Sequence, residues 1–138
     1  MLLYVPYVCL LVAVVLIYLP RSVVSAEMAK LSGGYDNNDP RGQQAQLAGR
    51  GKRALGAHNN GFETFPAFAV GVLMAMQIGV SLELVSACCI GFVVARVAYI
   101  VAYLGDNSKL RSPLWGLQML ASAVMMIAAV VDVSKHVP

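Results

Sequence analysis

Four apolar stretches, Leu2–Leu19, about 62–80, Leu82–Leu104 and Pro113–Val133, take up most of a 138-residue chain and leave only short polar segments between them. An α-helix needs roughly 20 apolar residues to cross a hydrocarbon core of about 30 Å. Lipid offers a backbone no hydrogen bonds, so such runs must be helical where they cross. The expected fold is therefore all-α, a membrane bundle of four transmembrane helices. Composition agrees, with 59% hydrophobic and 12% charged residues, where a soluble domain carries about 25% charged. A single domain accounts for residues 1–138, with spans at about 2–19, 45–80, 82–104 and 113–133.

The first stretch resembles a signal peptide only in position. Met1 to Tyr7 holds no Lys or Arg, and the apolar run is too long for an h-region, so it reads as a retained helix. Arg21, Lys30, Arg41, Arg50, Lys52 and Arg53 lie between the first two spans, and Lys109 and Arg111 between the last two. The turn near Val80 has no cation and the C-terminal end has only Lys135. The positive-inside rule then puts loops 20–44 and 105–112 in the cytoplasm and both termini outside. The net charge of +3 thus reports topology and gives no ground for nucleic-acid binding.

Ser32–Arg41 is a cluster of turn formers, expected to be a mobile loop. From about Gln43 a helical pattern continues through Gln77, roughly 50 Å of helix, with Pro66 expected to kink it. The residues around Gly79–Ser81 allow only a tight turn, which makes spans two and three antiparallel neighbours, and Pro113 suits the first turn of the last helix. Cys9, Cys88 and Cys89 all fall within spans, are odd in number and contain no C-x-x-C. They read as small packing residues, with no zinc or other metal site implied. Gln77 and Gln118 are expected to hydrogen-bond between helices, and Met119, Met125 and Met126 to fill core or face lipid.

Arg96 stands in the middle of the third span, with Tyr99 and Tyr103 on the same stripe over the next two turns. A cation at that depth costs about 3 kcal/mol on insertion scales and needs a polar partner inside the protein, so it marks a candidate site. On the second helix, with Arg53 at 0°, Asn60 falls at about −20°, Thr64 at about 20°, Arg50 at about 60° and Glu63 at about −80°. One face thus carries cations at its basic end and an amide and a carboxylate deeper down. Arg96 and Arg53 are the candidate partners for Glu63. His58, near 140°, is off that stripe and is expected to be solvated or interfacial.

Ala57-His-Asn-Asn-Gly-Phe-Glu-Thr-Phe-Pro66 resembles the second-helix signature of the MAPEG proteins, the membrane-associated proteins of eicosanoid and glutathione metabolism. Arg96-Val-Ala-Tyr-Ile-Val-Ala-Tyr-Leu-Gly105 is similar to the family's Arg, aromatic or His, and Tyr pattern on helix three, and Lys109–Pro113 to its loop into helix four. The resemblance implies a homotrimer, with glutathione as co-substrate held between subunits at the cytoplasmic side and a lipophilic electrophile or hydroperoxide as its reaction partner. Mapped by residue, it implies that Arg53, Asn60, Glu63, Arg96, Tyr99 and Tyr103 bind glutathione and that Arg111 is the catalytic cation beside its thiolate. The short loops look like those of bacterial members, which implies the inner membrane. Membrane lipids and other copies of the chain are the implied partners.

The chain departs from the family where it has Gly56 in place of a second Arg, and Trp115, Gly116 and Met119 early in the last helix. These departures argue against prostaglandin-synthase chemistry. Two other classes stay open. A small four-helix transporter is expected to carry a carboxylate in its first helix, and Leu2–Leu19 has none. The other is a scaffold that kept the fold and lost the chemistry.

Overall fold

The computed structural model describes residues 2–134; Lys135 lies outside the described residues. Five helices follow in order: α1 (Tyr4–Met28), α2 (Pro40–Ala45), α3 (Gly49–Ile78), α4 (Leu82–Leu104) and α5 (Ser108–Ser134). The four long ones are each apolar and long enough to cross a membrane, and no strand occurs among the described residues. α1 and α5 each pack against both α3 and α4.

Helix ends depart from the apolar runs, for local reasons. α1 continues through Pro20 to Met28, well past Leu19. Its extension survives because Val24 and Met28 are fully buried against Leu47 and Ala54, a small second core at the basic end. The long helix expected from Gln43 is broken. Asp39 caps the short α2 by accepting from the Gly42 N–H at 2.9 Å, with Pro40 in its first turn. The chain then leaves helical geometry and re-enters it at Gly49 with φ +50°, a conformation that a Cβ disfavours. The preceding loop is tied down by the buried Gln43, whose side chain donates to the Gly34 carbonyl at 2.6 Å and accepts from the Asp36 N–H at 3.0 Å.

α3 runs through Pro66 to Ile78 and closes on Gly79, at φ +83°, with the N–H groups of Gly79 and Val80 both donating to the Ala75 carbonyl. Ser81 caps α4 two residues later, its hydroxyl accepting from the Leu84 N–H, so α3 and α4 are joined by the tight turn the sequence predicts. α5 begins earlier than Pro113 suggests. The Asn107 side chain accepts from the Leu110 N–H at 3.2 Å and starts the helix at Ser108, which leaves Pro113 inside it.

The main core lies toward the other end of the bundle. Phe68 on α3 stacks on Phe92 on α4, with centroids 3.8 Å apart and planes 7° from parallel. Met125, Cys9 and Cys89 share that core, Cys88 borders it, and all three cysteines are free thiols. Gln118 is fully buried but donates to the Leu114 carbonyl of its own helix, so it does not bridge helices. Gln77 is exposed at the far end of α3. The Gln118 Oε1 is buried with no hydrogen-bond partner among the described residues, and Gln77 meets solvent.

His58 is the clearest departure from expectation. It is 8% exposed, and its Nδ1 lies 2.8 Å from the Ile17 carbonyl. Since a carbonyl only accepts, Nδ1 carries the proton. Tyr18 and Phe62 flank the imidazole with centroids 5.9 and 5.1 Å away. The imidazole is therefore a buried fastener between α1 and α3, and not a solvated side chain.

Candidate functional site

The polar residues of α3 and α4 meet about 16 Å along α3 from its start, counting 1.5 Å per residue to Asn60. Small residues make this possible. Ala57 is fully buried, and a Cβ at Gly61 would stand 2.9 Å from the Arg96 Nη2 and 3.3 Å from the Ile17 Cα. Arg96 fills the space that this absent side chain leaves.

Arg96 is 2% exposed. Its Nη1 donates to the Asn60 Oδ1 at 2.8 Å and its Nη2 to the Ala57 carbonyl at 2.7 Å. Asn60 in turn donates through Nδ2 to the Glu63 Oε2 at 3.0 Å. The expected contact of Glu63 with an arginine is thus replaced by a relay, Arg96 to Asn60 to Glu63. An amide suits this place because it accepts from a cation on one side and donates to an anion on the other. Glu63 and its neighbour Phe62 are exposed on the outer face of the protomer.

Arg53, the other candidate partner, points elsewhere. It donates to the Leu104 carbonyl at 3.4 Å and pairs with Asp106 at 3.3 Å. Asp106 is a non-glycine residue with φ +60°, and Arg53 holds the α4–α5 connection at that point.

The aromatic stripe of α4 forms as the spacing predicts. The Arg96 guanidinium lies 5.1 Å from the centroid of the Tyr99 ring, and Tyr99 meets Tyr103 edge to face at 5.5 Å. The Arg111 guanidinium sits over the Tyr103 ring at 4.3 Å, within cation–π range. Tyr103 leans across Gly56, and a Cβ there would meet the phenol oxygen and stand 2.8 Å from its Cζ. Tyr103 thus takes the room over the position where the family often has a second arginine.

These side chains border a groove of about 560 Å³ between α3, α4 and α5, lined by Asn60, Tyr99, Tyr103, Arg111, Ser112, Trp115 and Gly116. Of the seven residues singled out from the sequence, Asn60, Tyr99, Tyr103 and Arg111 share the groove. Arg96 stands behind its wall, Glu63 faces outward, and Arg53 is engaged by Asp106. Trp115 and Gly116 read in the sequence as departures, yet they belong to the lining. The signal available was the i, i+4 spacing that sets Trp115 next to Arg111 and Gly116 next to Ser112 on α5.

Chemically, the groove offers one cation, an amide, hydroxyl groups and an aromatic wall. That donor set fits one carboxylate or one thiolate of an anionic thiol peptide. A second carboxylate needs a cation from outside this lining. Among the described residues, no group of three or more His, Cys, Asp or Glu could hold a metal ion. Neither a curated protein nor a solved structure matches the chain. The sequence profile described as the MAPEG family matches residues 5–131, nearly the whole chain and every helix of the groove. With four membrane-length helices, three of which border that groove, the chain belongs to the MAPEG family, as an integral multi-pass membrane protein.

Proposed function

We propose that this protein is a membrane glutathione transferase, joining the glutathione thiolate to small lipophilic electrophiles or reducing hydroperoxides with it. The observation that carries the reading is Arg111, stacked on Tyr103 at the lip of a polar groove. A thiol of pKa about 8.5 is largely protonated at neutral pH, and a nearby cation stabilises its anion. Asn60 and the tyrosine hydroxyls suit the peptide's amides, and Glu63 suits its amino group, carried by a neighbouring copy.

The same chemistry supports a homotrimer. One protomer's groove lacks a second cation, while Arg50 and Lys52 are exposed and Arg53 half-buried at the start of α3, and Glu63 with Phe62 faces outward on a helix long and apolar enough to cross a membrane. A carboxylate facing lipid is costly, and a neighbouring copy would cover it. Native mass spectrometry of the mildly extracted protein is expected to show three chains; a monomer alone would remove the shared site. The basic loops support a cytoplasmic position for the groove's open end, and the short connections support the bacterial inner membrane.

Glutathione titrated into the solubilised protein should give saturable heat in a calorimeter. Arg111 is half-buried at the open lip of the groove, and Arg111→Ala is expected to keep that binding within about fivefold, as a solvent-screened pair is worth about 0 to 1 kcal/mol. The absorbance of the bound thiolate near neutral pH should nevertheless fall, because removing an opposite charge within about 4 to 6 Å raises a thiol pKa by about one to three units. An unchanged thiolate signal would move the activating role to another group. Binding with no thiolate in the wild type would favour a scaffold that has lost its chemistry.

A further inference from the structure

We propose that the outer wall of the groove, Trp115 beside Gly116, is the electrophile subsite and selects flat, conjugated electrophiles over saturated ones of the same size; its chemical step rests on the transferase reading above. Trp115 is 44% exposed and lines the groove, yet makes no ring contact with another aromatic side chain among the described residues. A Cβ at Gly116 would meet nothing within 4 Å, so the surface next to the indole is open. The other walls carry Tyr99 and Tyr103. An indole face left bare beside an open glycine, with tyrosines nearby, suits a planar π-system.

The polar groups sit one helical turn away. Arg111 precedes Trp115 by four residues and Ser112 precedes Gly116 by four, so each pair shares a face of α5. A ring resting on Trp115 therefore places an attached electron-withdrawing oxygen near a guanidinium and a hydroxyl. For an aryl enone, the glutathione sulfur forms a bond to the β-carbon, the C=C π pair shifts to lie between the α-carbon and the carbonyl carbon, and the C=O π pair moves onto oxygen, giving an enolate beside Arg111. The α-carbon then takes a proton from water, replacing the one the thiol released. The net change is addition of S–H across the double bond, with no external oxidant or reductant.

Two enones that differ only in their ring test this: 4-phenyl-3-buten-2-one and 4-cyclohexyl-3-buten-2-one. Trp115 is the only tryptophan in the chain, so its emission reports binding without glutathione present. The phenyl enone should quench it saturably, corrected against free tryptophan, and the cyclohexyl enone should not. With glutathione, each kcat/KM is divided by the uncatalysed rate constant. The phenyl-to-cyclohexyl ratio is expected to fall about three- to tenfold in Trp115→Ala, to survive in Trp115→Phe and to collapse in Gly116→Leu, which fills the open surface. An unchanged ratio in Trp115→Ala, or quenching no better than that of free tryptophan, would overturn the subsite and make Trp115 a lipid-facing belt aromatic. Absence of glutathione heat would overturn the transferase reading, while saturable quenching would still support a site for flat ligands.

Discussion

Replacing Arg96 with methionine is expected to weaken glutathione binding by about 10- to 100-fold while leaving the melting midpoint of the solubilised protein unchanged or raised. Arg96 does not line the groove and acts through Asn60, which does: the charge-assisted bond that fixes this amide is worth about 1.5 to 3 kcal/mol and is lost when the guanidinium goes. Stability should move the other way. Arg96 is 2% exposed and bonded directly only to neutral carbonyl oxygens, with Glu63 one amide removed, and a buried charge without a direct ion pair is often replaced by a similar apolar side chain at no cost or with a gain. Arg96→Ala separates the two effects, because it also opens a cavity, at about 2 to 4 kcal/mol. Calorimetry and a thermal scan of the three proteins decide the matter. A Met variant that melts far below wild type while still binding glutathione would make Arg96 a structural staple. Arg50→Ala, at an exposed position, should change binding by less than about fivefold.

Gly61→Leu is expected to lower the melting midpoint by about 10 °C, corresponding to about 3 kcal/mol in a chain of this size. Its first carbon alone would stand 2.9 Å from the Arg96 Nη2, 3.1 Å from the Ile17 Cγ1 and 3.3 Å from the Ile17 Cα. The last of these is backbone, so α1 itself must move, and the His58 bond to the Ile17 carbonyl moves with it. Gly116→Ala is the control, since nothing lies within 4 Å of its added carbon. Equal midpoints for the two variants would contradict the close α1–α3 approach.

What the sequence revealed follows from what lipid enforces. Four long apolar runs, the turn at Gly79 and the stripe of Arg96, Tyr99 and Tyr103 depend only on local period, and each appears in the fold. The ends of helices depend on neighbours. The extension of α1 to Met28 rests on burial against Leu47 and Ala54, which are near in space only after α3 folds back. The cap at Asn107 was legible as a residue type, but Pro113 was the louder signal. His58 was misread because its partner is a backbone carbonyl on another helix, which no wheel of α3 can display. Asn60 took the role assigned to Glu63 because it reaches both Arg96 and the carboxylate. Gly56 and Trp115 looked like losses against a family pattern; Gly56 instead makes room for Tyr103, and Trp115 lines the groove.

The relay through Asn60 has an electrostatic consequence. Among the described residues, no carboxylate forms a direct ion pair with Arg96; its counter-charge, Glu63, stands one amide away on the exposed outer face, so the relay is positive at its buried end and negative at its outer end. At an effective dielectric of about 20, unit charges about 8 Å apart still interact by about 2 kcal/mol, and mobile salt screens a buried charge far less than an exposed one. An anion settling in the groove would feel that potential through the wall, without contact. Its preference for negative ligands would then persist at ionic strengths that silence surface lysines, since the potential originates where counter-ions do not reach.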